Sequence, residues 1–223
     1  PTVTSIYQDE FGIIWIGTKD GLNRYNGTDF YVFRPVKDDK NSLYNNNIGT
    51  ICGDKQGHIY IRCKYAVVEY DIKKNTFHTI RDNDIQAISY GNTQLWVCTR
   101  DSLFTYNRVE DKLDYYYNLE GARMSCVIED SDGNLYVGTM NNGLYMIDGN
   151  KKWLNYLPKK DITCIYEDSK KSIWVGTKDD GLFRLDRNGG ITNYGTAPHQ
   201  NMLSSSYVRC IVEDNLGNYW IGT

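Results

Sequence analysis

The chain has 223 residues, 40% hydrophobic and 24% charged, with a net charge of −3, the proportions of a soluble globular protein. That charge excludes a global electrostatic pull toward nucleic acid or anionic lipid. No apolar run approaches the ~20 residues that cross a bilayer.

In chain order, the first forty residues predict four short strands. Val3 to Tyr7 alternates and is β-branched, and a turn containing Asp9 and Gly12 follows it. Ile13 to Gly17 is nearly continuous in apolar residues, Leu22 to Tyr25 follows a Gly-bearing loop, and Phe30 to Phe33 is aromatic. Asn26-Gly27 predicts a two-residue hairpin turn, because both residue types tolerate positive φ. No segment carries an apolar period of 3.6 over helix length.

The pattern then recurs. Aligned on the aromatic of "WIGT", the copies centre on Trp15, Tyr60, Trp96, Tyr136, Trp174 and Trp220, at spacings of 45, 36, 40, 38 and 46 residues. An acidic residue six before the aromatic recurs as Asp9, Asp54, Asp130, Asp168 and Asp214, and the third copy lacks it. Glycine three before the aromatic recurs as Gly12, Gly57, Gly133 and Gly217. Four antiparallel strands per ~40 residues is the arithmetic of one propeller blade.

The fold expected is an all-β propeller of four-stranded antiparallel blades, over residues 1–34, 47–81, 84–118, 123–157 and 161–195, with a partial blade at 207–223. Trp15 and its equivalents then form core between blades. Half a blade leaves an open sheet edge, which natural sheets avoid, so the expectation is a segment of a longer ring.

Six cysteines invite a disulfide reading, and the repeat argues against it. Cys126, Cys164 and Cys210 share a first-strand position that Ser5 and Thr50 hold in the first two copies. Equivalent positions on successive blades point alike and lie too far apart to be bridged. Cys63 and Cys98 fall in the "IGT" positions of their own blades and Cys52 on a first strand. Buried free thiols are expected, with no zinc site and no cofactor, since there is no paired CxxC and only three histidines, His58, His78 and His199.

Most carboxylates occupy repeated turn positions, where side chains cap backbone. With no GxSxG, HExxH or Walker loop, no catalytic residues are assigned. Function is sought where the copies differ. The position after "IGT" reads Lys19, Lys64, Arg100, Met140 and Lys178, which suggests a basic rim suited to acidic sugar groups. The long linkers add Tyr44, Asn45, Asn46 and Asn47, and later His199, Asn201 and Tyr207. Arg209 stands where Thr4, Gly49, Ser125 and Thr163 stand in other copies and is the foremost single binding candidate. Arg24 and Arg184 share a third-strand position and are expected in structural pairs.

The copies "VTSIYQDEFGIIWIGTKDGLNRYN" and "ITCIYEDSKKSIWVGTKDDGLFRLD", with the linkers at 39–48 and 199–208, resemble the two-component regulator propeller family. The second copy departs most, with Arg62-Cys63 for Gly-Thr and Ala66-Val67 for Gly-Leu. The resemblance implies seven-bladed rings forming the periplasmic sensor of a hybrid histidine kinase. It implies sensing of a glycan or its breakdown product, a homodimeric ectodomain, and a membrane helix and kinase outside this chain. The competing readings are a structural or protein-interaction propeller of a secretion or surface complex and, third, a lyase- or hydrolase-type propeller.

Overall fold

The computed structural model describes residues 2–195 and 203–223, and these hold strands and turns with no helix. They divide into two compact units, Pro1–Tyr117 and Asn118–Thr223.

The first unit contains three antiparallel four-stranded sheets, each in simple sequence order. They are β1 (Val3–Gln8), β2 (Ile14–Thr18), β3 (Gly21–Tyr25) and β4 (Phe30–Phe33); β5 (Ile48–Gly53), β6 (His58–Cys63), β7 (Ala66–Asp71) and β8 (Thr76–Arg81); and β9 (Ala87–Tyr90), β10 (Leu95–Cys98), β11 (Ser102–Asn107) and β12 (Lys112–Asn118). The second unit has two such sheets and a two-stranded one. These are β13 (Met124–Glu129), β14 (Leu135–Thr139), β15 (Gly143–Ile147) and β16 (Trp153–Asn155); β17 (Ile162–Glu167), β18 (Ile173–Thr177), β19 (Leu182–Leu185) and β20 (Ile191–Tyr194); and β21 (Cys210–Glu213) with β22 (Tyr219–Gly222).

Within each unit, consecutive sheets pack with their first strands adjoining: β1 on β5, β5 on β9, β13 on β17 and β17 on β21. Trp15, Tyr60, Tyr136 and Trp174 pack against the next sheet of their own unit, and Trp96 packs on Tyr116 of its own sheet at 4.8 Å. Trp15, 1% exposed, meets Tyr70 edge-on at 5.3 Å and joins a cluster with Ile48 and Phe77. Trp174 packs on Val208, Ile211 and Tyr219. Trp220 is the exception to the expected core position: it is 64% exposed, because no further sheet covers β22 among the described residues.

The repeated aspartate turn has a structural purpose that its spacing half reveals. In the first sheet one Asp9 oxygen accepts the backbone N–H groups of Phe11 and Ile13, at 3.0 and 2.9 Å, and the other accepts the Trp15 indole N–H at 2.8 Å. Asp168 repeats this with Lys170, Ser172 and Trp174, and Asp214 with Leu216, Asn218 and Trp220. Asp54 and Asp130 make the same two backbone bonds and turn the second oxygen to His58 or Asn134 instead. The turn needs positive φ three residues after the aspartate, which Gly12, Gly57, Gly133 and Gly217 supply and Lys171 adopts at φ 62°.

The glycine of "IGT" leaves room for the next sheet. A Cβ on Gly17 would lie 2.6 Å from Ile48 Cγ2, and one on Gly138 2.6 Å from Ile162 Cγ2. Beside it a first-strand hydroxyl crosses the same seam: Thr4 donates to the Ile48 carbonyl and Ser125 to that of Ile162, at 2.8 and 2.6 Å, as Thr163 does to Val208.

Two local expectations are corrected. The β3–β4 connection is a four-residue loop, Asn26 to Asp29, in which only Gly27 has positive φ. The Asn26 side chain accepts the backbone N–H groups of Thr28 and Asp29, and this Asx cap displaces the tighter hairpin. The thiols are free, but not uniformly buried: Cys63 and Cys98 are buried, Cys52, Cys126 and Cys164 half-buried, and Cys210 exposed on the uncovered sheet. Burial pushes Cys52, Cys63 and Cys126 up to about 12 and Cys164 to about 11, so these four remain protonated, unreactive thiols at neutral pH.

A second clasp joins the sheets of the second unit. The Glu167 carboxylate accepts both the N–H and the hydroxyl of Ser131 at 2.8 Å, and Glu213 grips Ser169 in the same way. Both clasps are exposed. Glu167→Ala is therefore expected to lower stability by only about 1 kcal/mol, read as a lower urea midpoint with an unchanged m-value.

Candidate ligand-binding loops

The loops between second and third strands, and the linkers into the next first strand, lie at one end of each unit. Backbone bonds fix this: Gly21 N–H donates to the Asn46 carbonyl and Ile85 to Tyr65 in the first unit, and Gly143 to Lys160 and Gly181 to Ser206 in the second. The glycines here are required. Gly181 has φ 80°, and a Cβ would meet the Tyr194 carbonyl oxygen at 2.7 Å.

In the first unit this end gathers Lys19, Lys64 and Arg100, all exposed. Their N–H groups are tied to the linkers: Lys19 to the Thr2 carbonyl, Lys64 to that of Asn47, and Arg100 to an Asp84 carboxylate oxygen. Their side chains are not held in ion pairs with carboxylates among the described residues. The rim is nevertheless mixed in charge, since Asp20 and Asp101 adjoin these cations in sequence and Asp20 pairs with Arg34 at 2.8 Å. That pairing holds the Asp20 carboxyl below its ordinary value. Asn47 lies at the same end. Asn45 is committed to the turn, accepting the Asn47 N–H at 2.9 Å. Tyr44 lines a cleft of about 430 Å³ with Pro35, Val36, Leu43 and His78.

In the second unit, Lys178 donates its N–H to the Asp161 carbonyl, and Val208 donates to the Thr177 carbonyl. The neighbours of Val208 are thereby brought beside Lys178. Arg209 lies with its guanidinium 4.4 Å from the centre of the Tyr207 ring, a cation–π arrangement. Both side chains are exposed. Met140 occupies the equivalent loop of the preceding sheet, and Lys160 pairs with Asp180 nearby. His199 and Asn201 lie outside the described residues.

The third-strand arginines are fixed without carboxylates among the described residues. Arg184 donates to the Ser172 hydroxyl at 2.9 Å and stacks over Trp174, and Arg24 stands against the Tyr70 hydroxyl.

A second cluster, which the repeat pattern did not flag, lies between the second and third sheets of the first unit. Glu69, 6% exposed, is gripped by Arg108 through Nε and a terminal nitrogen at 3.0 and 3.1 Å. Asp111 accepts from the Tyr106 hydroxyl and pairs with His78, both at 2.8 Å. Hydrogen bonding by Glu69 raises the Arg108 guanidinium above its ordinary value. These charges satisfy one another, which is the signature of a structural network. No group of three metal-ligating side chains converges among the described residues.

Four-stranded antiparallel sheets, repeated at ~40 residues and packed first strand to first strand, define a β-propeller protein. Four of its repeats match the model of the two component regulator propeller family, at residues 1–20, 118–141, 156–179 and 202–223. A histidine kinase P4 of Formosa agariphila is 40% identical over 42 residues, covering 19% of this chain and 3% of that protein. Among solved structures, the extracellular domain assigned to a hybrid two component system of B. thetaiotaomicron matches at TM-score 0.64 and 22% identity, over 99% of this chain and 38% of that one. Virginiamycin B lyase from Staphylococcus aureus matches at TM-score 0.79 and 14% identity, over 98% and 76%. PorZ, a surface component of the type-IX secretion system of Porphyromonas gingivalis, matches at TM-score 0.75 and 15% identity, over 100% and 37%. At these identities the structural likenesses establish the fold alone. The chain spans well under half of the hybrid-system domain and a small part of the kinase.

Proposed function

We propose that this chain is a ligand-sensing, extracytoplasmic part of a hybrid two-component sensor and binds a glycan or an oligosaccharide breakdown product. The observation that carries the reading is the family match over four repeats, and the histidine kinase relative supports it. Exposed cations, amides and tyrosines at the loop end of each unit supply donors for hydroxyl and carboxylate groups and aromatic faces for sugar C–H groups. The chain itself assigns no catalytic step. Its place is the periplasm, its signal is carried to a kinase outside this chain, and its active state is a homodimer. Ligand acts only through unequal affinity for two arrangements of the sensor.

A thermal-shift screen of neutral and acidic oligosaccharides tests this. A true ligand at 100 times its Kd stabilises by about 2.7 kcal/mol, a clear rise in Tm. Reversing Lys19 and Lys64 to Glu is expected to weaken an acidic oligosaccharide at least tenfold, a loss of about 1.4 kcal/mol. Unchanged calorimetric affinity would remove the basic rim from the account. The second reading, a protein-interaction propeller, rests on the fold shared with PorZ; it gains if no saccharide moves the Tm.

A further inference from the structure

The second sheet breaks the repeat in two places at once. Where other sheets have the glycine of "IGT", as at Gly17, Gly138 and Gly176, it has Arg62. Where other first strands have the seam-crossing hydroxyl of Thr4, Ser125 or Thr163, it has Gly49. The two changes fit each other. A Cβ on Gly49 would lie 2.0 Å from one terminal nitrogen of Arg62, Nη2, and 2.4 Å from its central carbon. The guanidinium therefore lies on bare backbone, and any side chain at 49 would evict it.

This guanidinium is left short of partners. Nη1 donates to the Lys64 carbonyl at 2.9 Å. Nε is enclosed and donates to nothing, and Nη2 has no acceptor among the described residues. The ionisable groups acting on it are Cys63 and Tyr65, with no carboxylate among them, and burial lowers its pKa. Arg108 in the same unit shows the contrast, since its fork is filled by Glu69. A half-buried cation without a counter-charge is costly to keep, and a guanidinium edge matches the two oxygens of a carboxylate. Lys64 adds a second cation at the same strand end. Its backbone sits in the left-handed region at φ 54°, and Tyr65 beside it is exposed.

We propose that Arg62 and Lys64 form a carboxylate-binding site at the end of β6, with Arg62 Nη2 as the principal donor and Lys64 as the flanking charge. The inference stands apart from the glycan reading, because a uronic acid and a peptide C-terminus present the same group.

The test follows the arginine Nε–Hε resonances of the isotope-labelled chain by NMR, with the Arg62 signal identified by its absence from Arg62→Lys. Sodium glucuronate and N-acetylalanine are titrated separately, against glucose and sodium chloride. A saturable shift of the Arg62 signal with either carboxylate, and none with glucose, is expected; which of the two acts names the source. Arg62→Lys keeps the charge but loses the fork; with affinities for the active carboxylate read by calorimetry in parent and variants, it is expected to weaken binding about tenfold. The double variant Gly49→Ser, Arg62→Gly restores the pattern of the other sheets. It should fold normally and show no calorimetric binding of the carboxylate. An Arg62 signal unmoved by both carboxylates, or moved equally by chloride, would overturn the proposal. So would full binding by the double variant.

Discussion

Asp168→Asn is expected to destabilise the second unit by about 3 kcal/mol, at the high end of single substitutions. Asp168 is 4% exposed and accepts four donors: the backbone of Lys170 and Ser172, the Trp174 indole N–H, and the Tyr219 hydroxyl of the next sheet. One residue thus closes the turn, orients the core tryptophan and ties two sheets together. Asparagine keeps the volume but offers only one accepting oxygen, and its NH2 group confronts the donors on the other side. An unmet buried donor costs about 1–3 kcal/mol. The same site predicts a pH dependence. Burial alone would raise the Asp168 pKa, but the bonds from Trp174, Ser172, Tyr219 and Lys170 bring it below the ordinary 3.8. The folded-state pKa is depressed, so the stabilisation is fully present above the unfolded value near 3.8 and is lost as pH falls through the lower folded value. Urea midpoints of the parent chain should fall with acidification in that window. Asp168→Asn should lose that contribution to the slope.

The sheet order and the core aromatics were legible because they repeat along the sequence. Trp15, Gly17 and Leu22 recur as Trp174, Gly176 and Leu182, and recurrence at a blade-sized period permits little else. Contacts across the seams were less legible. The Thr4 to Ile48 bond spans 44 residues and the Ser131 to Glu167 clasp 36; each joins positions that neither strand periodicity nor turn chemistry pairs. The indole bonds of Asp9 and Asp168 reach six residues along the chain and are hidden in the sequence for a different reason. A turn cap accounts for one oxygen of the aspartate, and nothing in the spacing points to the partner of the second. Trp220 and Cys210 occupy repeat positions that are core in their equivalents, but burial belongs to the neighbouring sheet, not to the repeat itself. Arg62 was visible only as a departure. Its meaning required Gly49, thirteen positions earlier and beside it in space.

Gly143→Ala should cost about 3 kcal/mol, and a second glycine shows why. Gly143 and Gly133 both have positive φ, 91° and 85°, so alanine at either pays a left-handed penalty of roughly 1–2 kcal/mol. At Gly133 an added Cβ meets nothing within 4 Å, and the penalty is the whole effect. At Gly143 it would lie 1.9 Å from the Leu157 carbonyl oxygen. That oxygen belongs to backbone, with the linker tied back through the Gly143 to Lys160 bond at 3.0 Å, and no rotamer change relieves the contact. Relief requires shifting the segment that carries Leu157 and Ile162, both part of the buried cluster around Val175. The excess of Gly143→Ala over Gly133→Ala in urea denaturation therefore measures how rigidly the loop end is held by the sheet beneath it. Equal losses for the two variants would mean that the linker yields freely, and that the loop bearing Met140 and the linker bearing Lys160 are set by their own turns instead of by the packed sheets.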